Sequence, residues 1–502
     1  MTENTRVSYP IYDINKSIYY FTLASNNNHP QAQYLLGCIF YENKYIREDM
    51  NKSIHYFTLA SINNHPKAQY CLGVFYYNGN YVPRDINKSI HYFSLASNKN
   101  HLESQFFLGL IYFSGTYLPK DINKAIYYLS LASSYNHQDA QFLLGIIYYD
   151  EDYSQRDINK SIYYFTLASN QNHPEAHDFL GRIYYEGKYV KQNISKAIHY
   201  FLLASSQCIS NSQFTLGQIY FLGQYVPQDI MKSIHFLTLA SNQNHFDAQF
   251  QLGLIYYLGL FIEQNIKKGI YYIILASKNG SWDAHFCYGF LLHEGKSLKR
   301  DIDGAIHYYK EASTFNIQFA KNNLGVIYLK GFGNQIKKSV GTAVEYFDEA
   351  IRRKKDYLSM YNLAHTYIYE ETIKQDIDKL VELLIESSSH FLNSVILLSI
   401  FLIKNFGFDI ERIKSEITKR AGNNSKLVLK VSNIVKFINI LGKSTFESLF
   451  DIYRTKIFLY NIEAKPILIT KITEIKIKEV SPNYPKAKNI SHLFYEGFGI
   501  DL

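Results

Sequence analysis

Six histidines recur at one step or multiples of it. They are His29, His65, His101, His137, His173 and His245, and the step is 36 residues. A second set, His55, His91, His199, His235 and His307, keeps the same step. Imidazoles in a column could chelate a metal or relay protons. Distance argues against chelation. Repeated helical units stack about 10 Å apart, whereas two nitrogens each about 2 Å from one zinc lie within about 4 Å of each other. The second set also alternates with Tyr19, Tyr127 and Tyr163, and a phenol does not generally replace an imidazole as ligand or base. The first column therefore reads as capping and loop packing, the second as amphipathic surface.

Other chemistry is scarce. No phosphate-binding loop, metal cluster or nucleophile motif is visible, so the expectation is no catalytic residue, no metal ligand and no cofactor. The four cysteines, Cys38, Cys71, Cys208 and Cys287, show no paired spacing, as expected of free thiols in a reducing compartment. The NKS tripeptides at Asn15, Asn51, Asn87 and Asn159 match a glycosylation acceptor. They fall in the first turn of an expected helix and read as structural. The opening MTENTRVSYP lacks a basic and an apolar region, which predicts no secretory leader and a cytoplasmic protein. The apolar run Phe391–Ile403 is short of the roughly 20 residues that span a bilayer and predicts a buried helix.

Charge narrows the partners. The net charge is +8, with 52 Lys/Arg and 44 Asp/Glu. Residues 401–502 hold 17 and 10 of these, which leaves 35 and 34 for residues 1–400. A near-neutral array argues against nucleic acid, which needs a basic stripe. The basic tail keeps nucleic acid or an anionic membrane open only as an alternative. Aromatic content is high, with 46 Tyr and 34 Phe but one Trp; tyrosine suits core edges and contact surfaces alike.

The elements that position these columns follow from the period. A six-residue phrase begins at Asp13, Asp49, Asp85, Asp121, Asp157, Asn193, Asp229, Asn265 and Asp301 without insertion or deletion. A constant period makes each unit pack on its neighbours in one way, which is a solenoid. The unit His65–Asn100 reads as helix A, about 66–77, and helix B, about 86–97. Ala68, Leu72 and Tyr76 share one face of helix A. Asp or Asn N-caps helix B. Asn28, Asn64, Asn100, Asn136, Asn172, Asn244 and Asn316, with Gly280 once, follow it as left-handed closers. Glycines at 79, 115, 187, 223, 259, 295 and 331 end helix A.

Ala68, Leu72-Gly73, Tyr76, Gly79, Val82, Asp85, Lys88-Ser89 and Tyr92 resemble the Sel1-like repeat pattern over about residues 9–388. The departures are uniform: the second Gly is aromatic at Tyr81, Tyr117, Tyr189 and Tyr225, and the Trp is Tyr at 20, 56, 92, 128 and 164. The resemblance implies an all-α, right-handed superhelical solenoid of about 11 helix-turn-helix repeats, similar to tetratricopeptide repeats. It also implies a non-enzymatic scaffold or adaptor that binds protein partners or peptide segments on its concave face. Endoplasmic-reticulum quality control, a role of some members, is disfavoured by the missing leader and membrane span.

In related superhelices helix A lines the concave side. Two aromatic rows lie there. The first is Tyr34, Tyr70, Phe106, Phe142, Phe214, Phe250 and Phe286; the second is Tyr41, Tyr77, Phe113, Tyr149, Tyr185, Phe221 and Tyr257. Some must be inter-repeat core, and the rest would form a stripe for extended or helical peptides. Asp178 interrupts the first row and Arg182 follows one turn later. They can pair as i and i+4, either as a surface ion pair or as a polar mark inside an apolar groove.

The expected organisation is a repeat array over 1–388, a degenerate helix pair over 389–422, and a basic C-terminal region over 423–502. That region is read as helical at first, with 467–480 open between strand and helix. Two residues are inserted before Ala343. The array opens on a helix B, with Ile18, Phe21 and Ala24 on its apolar face, and HLFYEGFGIDL at the other end resembles the close of a helix A. Those two ends could support weak self-association.

Overall fold

Eight of the B-type helices start at a capped Asp or Asn, and those caps form as their residue types require. In the computed structural model Asp85, Asp121, Asp157, Asn193, Asp229, Asn265, Asp301 and Asp376 each accept a hydrogen bond from the backbone N–H three residues on. The structure describes residues 11–421 apart from 43–46, 151, 155, 316, 333–335, 354–355, 371, 373–375, 389–391 and 408, together with 427–433, 435 and 447. Among the described residues 23 helices of eleven residues or more follow one another, and the only strand-like contact is a single bridge, Phe332 to Ile336. That bridge sits in the loop that carries the two inserted residues. The fold is an all-α solenoid of helix pairs.

In the unit at His65, helix A spans Pro66–Asn78 and helix B Ile86–Ser97. Eleven helices of the B type occur, from Ile11–Asn26 to Ile377–Ser387. Leu392–Phe406 and Ile410–Ala421 follow as a further pair. The described residues fall into two compact units, one ending at Ser212 and one beginning at Gln213.

Turns obey the same local rules. Asn28, Asn64, Asn100, Asn136, Asn172 and Asn244 lie at φ of 57–62°, joined by Cys208 at 63°. Asn316 lies outside the described residues. Glycine is needed for a different reason inside helix A. A Cβ at Gly37, Gly73, Gly145 or Gly181 would lie 2.5–2.6 Å from the ring of Phe57, Phe93, Phe165 or Phe201 on the paired helix B. All four rings are fully buried. The missing Cβ lets the two helices touch, and a hydroxyl bolts them: Ser53, Ser89, Ser161 and Ser233 Oγ donate to the carbonyls of Gly37, Gly73, Gly145 and Gly217 at 2.8 Å. Ser53, Ser89 and Ser161 are the third residues of NKS tripeptides, so those tripeptides are helical with a buried serine, in line with their structural reading.

Outside this contact helices A and B of seven pairs stack aromatic rings. Phe40–Tyr56, Tyr76–Tyr92, Tyr112–Tyr128, Tyr148–Tyr164, Tyr184–Tyr200, Tyr220–Phe236 and Tyr256–Tyr272 lie 5.7–6.0 Å apart and within 10° of parallel. The ammonium of Lys52, Lys88, Lys124, Lys160, Lys196, Lys232 or Lys268 covers the helix A ring at 4.0–5.3 Å. The lysine of each NKS-type turn thus closes the stack by cation–π attraction.

The run around Phe391–Ile403 forms the helix Leu392–Phe406, with Val395, Leu398 and Leu402 buried. No helix among the described residues is long and apolar enough to cross a membrane. Residues 467–480 and 492–502 lie outside the described residues.

Candidate functional site: the joints between repeats and the aromatic rim

The first histidine column caps helix A. Nδ1 of His29, His65, His101, His137, His173 and His245 accepts from the backbone N–H three residues on, at 3.3–3.4 Å. Nε2 faces the preceding repeat, where it lies 2.9 Å from Gln31 Oε1 at His65, 3.4 Å from Glu103 at His137 and 3.2 Å from Asp139 at His173. An acceptor Nδ1 requires neutral imidazole or its loss as a cap. Burial pushes His65 and His101 below the usual range and His245 down to about 4.

Those histidines also settle the first aromatic row. Tyr34, Tyr70, Phe106, Phe142 and Phe214 each stack on the His of the next repeat, with centroids 4.4–4.9 Å apart. Phe106, Phe142, Phe214 and Phe250 are buried, while Tyr34 and Tyr70 are half-buried. The row expected to line a groove is therefore mostly joint core, because the next repeat's cap lies over it. The pairing was visible as an aromatic followed 31 positions later by His, from Tyr34 and His65 to Phe214 and His245.

The second row packs differently. Tyr41, Tyr77, Tyr149 and Phe221 meet Tyr81, Tyr117, Tyr189 and Phe261 of the next repeat's loop edge to face, at 6.0–6.1 Å. Phe113, Phe221 and Tyr257 are buried and leave no groove surface; Tyr41, Tyr77, Tyr149 and Tyr185 are half-buried. The loop rings are the open part: Tyr81 is 43% exposed, Tyr117 42% and Phe261 67%. They are the positions where this chain puts an aromatic for the family's second glycine. Guanidinium groups roof them, Arg84 at 5.3 Å over Tyr117 and Arg156 at 4.2 Å over Tyr189. The signal missed in the sequence is the constant offset of 40 from row to loop, as in Tyr41 and Tyr81.

Asp178 and Arg182 do pair, with Nε 3.2 Å from Oδ2, but Asp178 is 6% and Arg182 7% exposed. A surface ion pair is thus corrected to a buried one. The Arg182 guanidinium sits over the Phe179 ring at 4.2 Å, and its Nε makes no hydrogen bond. Asp178 Oδ1 accepts instead from Ser212 Oγ at 2.6 Å.

Sequence reading missed a buried amide ladder. Gln33, Gln69 and Gln249 Nε2 donate to the carbonyls of Ser25, Ser61 and Ser241 at 3.0–3.2 Å. Oε1 of Gln33, Gln141, Gln213 and Gln249 accepts from Asn63, Gln171, Gln243 and Asn279 of the next repeat at 2.7–2.9 Å. Where that donor is Lys99 or Tyr135, Oε1 of Gln69 and Gln105 has no partner. Lys321 takes the glutamine's place once and pairs with Glu349 at 2.6 Å.

Outward-facing aromatics concentrate on helix B. Tyr19, Tyr127, Tyr163 and Tyr271 are 58–60% exposed, with His55, His91, His199, His235 and His307 exposed in the same column. None of the four cysteines forms a disulfide. Among the described residues no group of three or more His, Cys, Asp or Glu could hold a metal ion.

The Sel1 repeat model matches eleven segments, 9–29, 30–65, 66–101, 102–136, 138–173, 174–207, 210–245, 246–281, 282–314, 318–354 and 358–380. A protective antigen of uropathogenic Escherichia coli strains, described as displaying an SLR fold, superposes with a TM-score of 0.69 at 19% identity, over 91% of this chain and 97% of that one. A Sel1 repeat protein from Oxalobacter formigenes gives 0.55 at 23% identity, over 65% and 97%. At these identities the likeness is one of fold. No curated protein sequence matches the chain.

Proposed function

Because the chain belongs to the Sel1 repeat family, we propose that it is a non-enzymatic scaffold that holds protein segments. The contact surface is the rim made by the half-buried second row, Tyr41, Tyr77, Tyr149 and Tyr185, with the loop rings Tyr81, Tyr117 and Tyr189. One observation carries this reading. The edge-to-face ladder repeats at each described step of the first unit where a second-row tyrosine meets a loop tyrosine, and it leaves ring surface open at Tyr81 and Tyr117, with Tyr189 half-buried. Tyrosines held by their neighbours present rigid area at low entropic cost, which suits an extended or helical peptide. The buried members Phe106, Phe142, Phe214, Phe250, Phe113, Phe221, Tyr257, Asp178 and Arg182 lie outside this contact surface.

The test is selection of displayed random peptides on the full chain. Enriched peptides are then compared on wild type and on Tyr81→Ser/Tyr117→Ser/Tyr189→Ser, with helicity checked by circular dichroism. A scaffold of this kind enriches a family of peptides whose affinity falls at least tenfold in the variant. Peptides that bind both forms equally would move the surface elsewhere, and no enrichment at all would refute a peptide-binding rim.

A further inference from the structure

Two kinds of joint between repeats stand out. At five of them a first-row ring stacks on the next repeat's His, from Tyr34 on His65 to Phe214 on His245. Two first-row positions are polar instead, Asp178 and Asn322. At both, the next helix A also lacks its His: Ile209 stands at the cap position in one, and Asp356 caps the other. At both, the third residue of that helix is a serine whose hydroxyl crosses the joint. Ser212 Oγ donates to Asp178 Oδ1 at 2.6 Å, and Ser359 Oγ donates to Asn322 Oδ1 at 3.2 Å. All four polar residues are buried, Ser212, Asn322 and Ser359 at 0% exposure. Ser104 occupies the same position at a ring joint, yet there its hydroxyl turns back on its own cap, His101 Nδ1, at 3.1 Å. The loss of the ring and the serine that reaches across thus occur together, twice; the His is also missing after Phe250 and Phe286, where Ser281 and Ile317 stand, but there the ring is kept and the third residue is alanine.

We infer that Asp178 and Asn322 are register keys: polar joint residues that restrict which repeat can stack on them. The physical need is plain. Repeats of equal length and near-equal sequence can mis-stack by a whole unit with little loss of apolar burial, and misassembly is a characteristic failure of repeat arrays. A ring joint and a polar joint do not interchange. A first-row ring placed against Ser212 would leave a buried hydroxyl unbonded, and Asp178 placed against a His-type joint would lose its hydroxyl donor while remaining buried. Single buried polar residues fix register in other helical assemblies at some expense of stability. Burial takes both keys out of reach of a partner, so this role is separate from the rim.

A pair of grafts on the full chain tests the inference, read by hydrogen exchange in the helices that flank each joint. The first converts the polar joint to the ring type with Asp178→Phe, Arg182→Leu, Ile209→His and Ser212→Ala, singly and together; Leu is already found in the Arg182 column at Leu110 and Leu254. The second converts a ring joint to the polar type with Phe142→Asp, His173→Ile and Ala176→Ser. Groups in contact couple by roughly 2- to 150-fold in an equilibrium constant. Single changes should lower protection by factors in that range, and the combined sets should recover it to within about threefold of wild type. Combined losses equal to the product of the single losses in either graft overturn the inference. If the first full graft does not fold, the second decides alone.

Discussion

The amide ladder makes a prediction of gained stability. Gln105 is 1% exposed and its Oε1 has no partner, whereas its counterparts accept a side-chain N–H at 2.7–2.9 Å. The residue in the donor's place is Tyr135, 57% exposed, so little packing is lost on replacing it. Tyr135→Gln puts an amide where Gln171 and Gln243 stand at other joints. A hydrogen bond made to a buried, otherwise orphaned acceptor contributes about 0.5–1.5 kcal/mol, which slows exchange at that joint by roughly 2- to 12-fold. Lys99→Gln should do the same for Gln69. The converse, Gln171→Tyr, leaves Gln141 Oε1 bare and should cost about 1–3 kcal/mol. Local hydrogen exchange in Leu102–Ser114 and Ile122–Ser134 is the assay, since a repeat array need not unfold in one step. If Tyr135→Gln and Lys99→Gln both leave protection unchanged or lower it, the ladder is not a joint-forming contact.

Three further predictions concern the core. Alanine is preferred to glycine in a helix by about 1 kcal/mol, yet Gly73→Ala would press a Cβ to 2.6 Å from the buried Phe93 ring; overpacking of about 1–3 kcal/mol makes the net change a loss. Gly341→Ala, with nothing within 4 Å of its Cβ, should instead gain up to about 1 kcal/mol, and paired urea titrations check the opposite signs. Ser89→Ala removes the 2.8 Å bolt to Gly73 and should cost no more than about 1 kcal/mol, because Ala125 and Ala197 fill that column elsewhere. His293 is 5% exposed, and burial, aided by Lys330 and Arg300, pushes it down to about 4. Its folded pKa lies below the unfolded value of about 6.5. The stability it contributes is therefore present above pH ~6.5, is lost as pH falls toward 4, and amounts to about 3 kcal/mol at full loss. His293→Phe, the residue type at Phe113 and Phe221 in the same column, should flatten that part of the pH profile measured by urea titration.

What was legible in the sequence was local. The Asp and Asn caps, the left-handed Asn column and the glycine closures depend on one residue and its own backbone, so the period alone exposes them. Contacts across joints were less visible. The rings Phe106, Phe142 and Phe214 look like groove lining until the His 31 positions later is placed on top of them. Asp178 and Arg182 read as a surface pair or a polar mark in a groove, because the element that buries them belongs to the following repeat. The loop tyrosines stood out as departures from the family pattern, but their edge-to-face partners lie 40 positions earlier. Spacing says which residues share a column; which faces meet depends on how each helix pair is set against the next, and that is not encoded in the period.

The most direct test of the scaffold reading is hydrogen exchange of the full chain with and without a selected peptide bound. Slowed exchange concentrated at the loops bearing Tyr81, Tyr117 and Tyr189 and at the C-terminal turns of the helices before them, and lost in the triple serine variant, is the predicted result. Protection confined to the outer face of helix B, around Tyr127 and Tyr163, would contradict it.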